Sequence, residues 1–144
     1  MSDVNLSEEL QKILDNESNN SIMKWNSRKI SEHKNNALQQ LNQPRNKLKE
    51  FNKKLKEYRY VDELNDLKYG SYIKWINLIN PDNIKLTTGG TLVEVILNDN
   101  GIVLIVKLFN NRRLTLNFDK CLIFQKITFQ EKILLKAIDY LEFN

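Results

Sequence analysis

Thr91-Leu92-Val93-Glu94-Val95-Ile96-Leu97-Asn98-Asp99-Asn100-Gly101-Ile102-Val103-Leu104-Ile105-Val106-Lys107-Leu108-Phe109 is the stretch that decides the fold. Two runs rich in β-branched residues flank Asn98-Asp99-Asn100-Gly101, and Asn-Gly tolerates the positive φ values of a tight hairpin turn. Strands are therefore expected over 91–98 and 102–109. Phe109-Asn110-Asn111-Arg112 reads as a second turn, leading into a strand over 113–118. Similar short runs predict strands over 71–78 and 122–127, and Gly89-Gly90 marks a bend or bulge entering the second strand. Five short strands joined mainly by hairpins point to a small antiparallel β-barrel, SH3-like or, as the alternative, OB-like.

Helices are expected on both sides of this region. Downstream, Thr128-Phe129-Gln130-Glu131 has the spacing of a capping box, and Ile133, Leu134, Ala137, Ile138 and Leu141 form one apolar face behind it. Upstream, residues 1–60 contain no Gly and one Pro, Pro44. Ser7 is a candidate N-cap for a short helix ending near Asp15, and the polar run 16–21 reads as a loop. Leu41, Leu48 and Leu55 recur every seven residues, with Ala37, Pro44, Phe51 and Tyr58 at the matching intermediate positions. That is a coiled-coil seam interrupted at Pro44, so two helices are expected, about 29–42 and 44–58. The fold class that follows is α+β. A basic helical region, 1–60, precedes a barrel with a C-terminal capping helix, 61–144.

The net charge of +4 conceals an asymmetry. Residues 1–20 carry −4, residues 21–60 carry eleven Lys or Arg against three acids, and residues 61–144 balance ten against ten. A basic block of this kind points to a polyanion or a membrane surface. The membrane reading lacks the large apolar face that interfacial helices use. Runs such as 102–106 are too short to span a bilayer, and the N-terminus has no signal-peptide pattern. Cys121 is the only cysteine, which excludes an internal disulfide and fits a reducing intracellular compartment. A soluble intracellular protein is the expectation.

Catalytic chemistry is sparse. His33 is the only histidine, in a polar helical stretch, and reads as a surface residue. Cys121 borders Leu122-Ile123-Phe124 and reads as a buried thiol. Asp62, Glu63 and Asp66 read as a solvated turn rather than a cation site, and Thr87-Thr88-Gly89-Gly90 lacks the ending of a phosphate loop. No catalytic residue, metal, cofactor or small-molecule substrate is expected, and the chain reads as a non-enzymatic binding protein.

The cations themselves are the better signal. Arg45, Lys49, Lys53 and Lys56 lie four, four and three residues apart, a ridge along one helix. Arg28, Lys29 and Arg59 belong to the same block, while Tyr72, Lys74, Arg112 and Arg113 offer a second surface on the barrel. Strand alternation puts Tyr72 and Lys74 on one face and Trp75 on the other, where it reads as core. The expected partner is nucleic acid, DNA favoured, bound through phosphates with little sequence preference. The alternative is an assembly module in which Leu41, Leu48, Phe51 and Leu55 form a homodimer seam and the barrel grips a protein segment.

One resemblance adds to these readings. Leu67-Lys68-Tyr69-Gly70-Ser71-Tyr72-Ile73-Lys74-Trp75-Ile76, the Gly89-Gly90 pair and Ile123-Phe124-Gln125-Lys126 ahead of a Glu-containing helix resemble a block in small proteins of amoebal giant DNA viruses and their virophages. It covers about half the chain and agrees with the frequent Asn, Lys and Ile of an AT-rich genome. It implies a viral factory or virion as the setting and carries over no binding residue.

Overall fold

The computed structural model describes residues 17–143, so the short helix expected before Asp15 lies outside the described residues. The fold is α+β. A 3-10 helix, Glu17–Lys24, precedes α1, Ser27–Gln39, and α2, Arg45–Lys54. Six strands follow: β1 Tyr58–Val61, β2 Tyr72–Asn77, β3 Gly90–Asn98, β4 Gly101–Lys107, β5 Arg113–Asn117 and β6 Cys121–Lys126. The chain closes with α3, Phe129–Phe143. The strands form one antiparallel sheet in the order β1-β6-β2-β3-β4-β5.

The expected five-stranded barrel is not what forms. The sheet has six strands and is open, with β1 and β5 as its edges. The extra strand begins at Tyr58, the last residue of the expected second helix, and takes in the three residues after it. Tyr58-Arg59-Tyr60-Val61 is aromatic and β-branched in alternation, and it finds a partner in β6, with Tyr58 opposite Lys126 and Val61 opposite Ile123. Helix α2 accordingly stops at Lys54, and Leu55 N–H closes it by donating to Phe51 O at 2.9 Å. Pro44 stands immediately ahead of α2, where its missing N–H costs nothing.

The residues divide into two compact units, one comprising His33–Lys126 and the other comprising the residues up to Glu32 together with Ile127 onward. In the His33–Lys126 unit the sheet buries both faces. On one, Ile76, Leu122, Phe124 and Tyr58 meet Ala37 and Leu38 of α1 and Phe51 and Leu55 beside α2. On the other, Ile73, Trp75, Leu92, Leu104, Val106, Leu116, Cys121 and Ile123 gather inside the curl of β2–β6. The curl needs close backbone approach at Gly90, where a Cβ would sit 2.5 Å from Val106 Cγ1 and 2.8 Å from Lys107 O. A register shift between Leu92 and Glu94 bends β3 further.

In the other unit, Ile22, Ile30, Ile127, Leu134 and Leu135 form a third cluster, with Trp25 packed against it. The run expected to be a loop is therefore ordered as a 3-10 helix, and its buried Asn19 donates to Gln130 Oε1 at 3.0 Å. The capping box is present: Glu131 N–H donates to Thr128 Oγ1 at 3.1 Å, and Thr128 N–H donates to Glu131 Oε1 at 2.9 Å. Leu141, expected on the apolar face of α3, is exposed, and Leu135 is buried instead. Among the described residues, no helix is long and apolar enough to cross a membrane.

Candidate nucleic-acid interface

Helix α2 turns Phe51 into the core, and its cations distribute accordingly. At 100° per residue, Arg45, Lys49 and Lys53 fall on the side away from Phe51, and all three are exposed. Lys56 follows in the turn after the helix and is exposed as well. Over eight residues at a rise of about 1.5 Å, Arg45 to Lys53 spans about 12 Å. Among the described residues none of these four forms an ion pair. Other cations of the block are already engaged. Lys54 pairs with Glu50 at 2.7 Å, holding that carboxyl below the usual range, and Lys47 Nζ lies 5.9 Å from the Phe51 ring centroid.

Two lysines outside the helix fix its C-terminal end, where the carbonyls carry the negative end of the helix dipole. Lys34 Nζ donates to Leu55 O at 2.8 Å and Tyr58 O at 3.1 Å, and burial lowers its pKa. Lys74 Nζ donates to Lys54 O at 3.5 Å and sits 5.0 Å from the Tyr58 ring centroid. Lys74 thereby joins the end of α2 to the face of β2 that carries Tyr72 and, beneath the helices, Ile76.

From Lys74 the sheet continues the surface. Tyr72, two residues earlier on the same face, pairs with Thr91; Thr91 pairs with Lys107, and Lys107 with Arg113. Directly opposed residues of antiparallel strands point to the same side. This row faces away from the core that its flanking residues fill, Ile73 on one side of it and the Leu92–Val106 pair on the other. Four strands about 4.8 Å apart give it a length of about 14 Å. Arg112 is exposed beside it. Lys107 opposite Arg113 is a like-charge pair, which costs roughly 0.2–1 kcal/mol unless an anion lies between them. Tyr72 Oη donates to Thr88 O at 2.7 Å, which leaves its ring partly exposed in a fixed position. Glu94, on the next outward row, is the acid that borders this track.

Three expected site residues lie elsewhere. Arg59 is buried, 2% exposed, and its Nη2 donates to Asp66 O at 3.3 Å. It belongs to an internal polar cluster with the fully buried Gln125. Gln125 Nε2 donates to Asp66 O at 2.9 Å, and its Oε1 accepts from Lys68 N–H at 2.8 Å and from Ser71 Oγ at 2.9 Å. That cluster pins the 62–71 connection onto the sheet, and it makes Asp66 a buried residue rather than part of a solvated turn. Arg28 and Lys29 are exposed but belong to the other unit. There Arg28 lines an open cleft of about 430 Å³ with Asn26, Ser27, Asp139 and Glu142. Asp139 accepts from Ser27 N–H at 3.1 Å, and Glu142 accepts from Asn26 at 2.6 Å, so the cleft presents carboxylates.

The residues assigned to a dimer seam are also placed differently. Phe51 and Leu55 are buried in the helix-facing core, and Leu41 and Leu48 pack against it. The heptad spacing records an internal contact with the sheet. His33, expected as a surface residue, is 3.2 Å from Asp62, and its ring lies 4.8 Å from that of Tyr60 at a tilt of 49°. Burial pushes the Cys121 thiol up to about 11, which makes it a poor nucleophile at neutral pH. Among the described residues, no three His, Cys, Asp or Glu side chains are disposed to hold a metal.

No family model, curated protein or solved structure matches the chain. The site is thus read from its own geometry.

Sequence reasoning found Arg112, Arg113 and the α2 ridge but missed Lys107 and Phe109. Lys107 reads as the end of an apolar strand, and only the register of β3, β4 and β5 sets it beside Arg113. Phe109 reads as the last residue of that strand. It lies instead beyond β4, in the turn, and is 94% exposed.

Proposed function

We propose that this protein is a non-enzymatic nucleic-acid-binding accessory protein, with DNA the favoured ligand and phosphate contacts its main source of affinity. The carrying observation is the cationic track of the His33–Lys126 unit: Arg45, Lys49 and Lys53 on the outer side of α2, Lys56 after it, Lys74 at its C-terminal end, and Lys107, Arg112 and Arg113 at the far side of the sheet. Displacing condensed counterions from a phosphate chain turns the mutual repulsion of such residues into attraction. The reading takes the run β6-β2-β3-β4-β5, with a 3-10 turn joining β5 to β6, as the SH3-like part of the fold. It takes a viral factory or virion, implied by the resemblance in the second half, as the setting.

Self-association through Leu41, Leu48, Phe51 and Leu55 is the less favoured reading, because it requires those side chains to leave a core they already help to fill.

The test is binding of labelled DNA at graded salt. About four phosphate contacts on a single strand give a slope of about −3 in log K against log salt. Changing Lys49, Lys53 and Lys56 together to Glu is expected to weaken binding more than tenfold and flatten that slope. Unchanged binding in the triple variant removes the α2 ridge from the mechanism, and an absence of salt-dependent binding in the unaltered protein defeats the proposal.

A further inference from the structure

The β4–β5 turn holds a feature that phosphate binding does not use. Asn111 N–H donates to Leu108 O at 3.0 Å, Leu108 N–H donates to Arg112 O at 2.8 Å, and Asn111 has a φ of 66°. This is the pattern of a three-residue hairpin loop: a four-residue turn followed by a left-handed residue, a role that Asn tolerates. Asn110 Oδ1 accepts from Arg112 N–H at 3.1 Å and ties the loop again. Phe109 occupies the first corner of this braced turn and is 94% exposed. Its neighbours across the hairpin are Arg112 and the Lys107–Arg113 pair.

We infer that Phe109 is a stacking platform for an unpaired base, so the ligand of the track is single-stranded nucleic acid rather than duplex. The inference rests on the functional reading above and adds strandedness to it. A duplex presents phosphates to a basic surface and keeps its bases stacked inside; inserting a side chain between them requires unstacking. An unpaired base has a free π-face, and an exposed ring beside cations that hold the adjacent phosphates is the arrangement that receives it. The turn's hydrogen bonds fix the backbone at Phe109 before binding, so only side-chain order is lost when a base arrives. The partly exposed ring of Tyr72, at the other end of the Tyr72–Thr91–Lys107–Arg113 row, offers a second platform. Single-stranded DNA and single-stranded RNA share this chemistry.

Fluorescence anisotropy with a 15-nucleotide thymidine strand, a 15-nucleotide uridine strand and a 15-base-pair duplex tests the idea. Phe109→Ala is expected to weaken binding of a single strand about five- to a hundredfold and to leave duplex binding unchanged. Phe109→Trp retains affinity, and its added emission is quenched when the strand binds. Leu97→Ala, which removes another large exposed apolar side chain, on β3, changes neither affinity. Whichever single strand shows the Phe109 effect identifies the source, DNA, RNA or both. If Phe109→Ala matches the unaltered protein, or weakens duplex and single strand alike, the stacking role is overturned while the phosphate track stands on its own salt dependence. If the unaltered protein binds none of the three at any salt, the functional reading fails and this inference falls with it.

Discussion

Arg59 illustrates what a single position conceals. In the sequence it closes a basic run and is indistinguishable from Lys53 or Lys56. In the fold it is opposite Gln125, a residue far along the chain, and shares with it the backbone carbonyl of Asp66. No local pattern announces a buried arginine, because the residues that satisfy it arrive only when β1 pairs with β6. The consequence is separable by experiment. Arg59→Ala is expected to lower stability by about 2–4 kcal/mol, since it hollows a packed site and breaks a buried polar network. Urea denaturation measures that loss. Under conditions where the variant stays folded, its salt slope for nucleic acid should equal that of the unaltered protein; a slope reduced as it is by Lys53→Glu would place Arg59 in the interface instead.

Elements were legible where their signals were local. The Asn-Gly hairpin, the capping box and five of the six strands follow from turn chemistry and alternation, which neighbouring residues supply. The helical seam was read as apolar, with a contact between chains as the alternative reading, and the fold sets that face against the sheet. A heptad repeat states that one helix face is buried, not what buries it, and here the sheet residues Ile76, Leu122 and Phe124 do so. The same ambiguity hid β1: Tyr58 fits the helical period, and only its pairing with Lys126 makes it a strand. Leu48→Asp distinguishes the two meanings of the seam. Placing a carboxylate against the core is expected to cost about 2–4 kcal/mol in denaturant titration, with the mass by light scattering unchanged from that of the unaltered protein. A dimer that falls apart into equally stable monomers would restore the assembly reading.

At the scale of the molecule, the sequence reveals that the middle third is basic but not which cations share a surface. Of the block 21–60, Arg59 and Lys34 are buried and Lys54 is paired, while Lys107, from a charge-balanced region, joins the exposed set. Gathering them required α2 to end beside Lys74 and the strands to set Tyr72, Thr91, Lys107 and Arg113 opposite one another. The α2 ridge and the sheet row measure about 12 Å and 14 Å, so a strand that follows both along their length needs at least about 26 Å. Five nucleotides cover either cluster, whereas fifteen, at about 3.4 Å each even when stacked, exceed both together. A strand of fifteen thymidines should therefore bind much more tightly than one of five, because its second contact forms at the high effective concentration set by the first. On the longer strand, Lys49→Glu with Lys53→Glu and Arg112→Glu with Arg113→Glu should each reduce the salt slope by about 1.4, two phosphates at about 0.7 apiece. On the shorter strand one pair should matter and the other should not, since only one end is occupied at a time. If both pairs weaken the five-nucleotide complex equally, the two clusters act as one diffuse charge rather than as the ends of a single track.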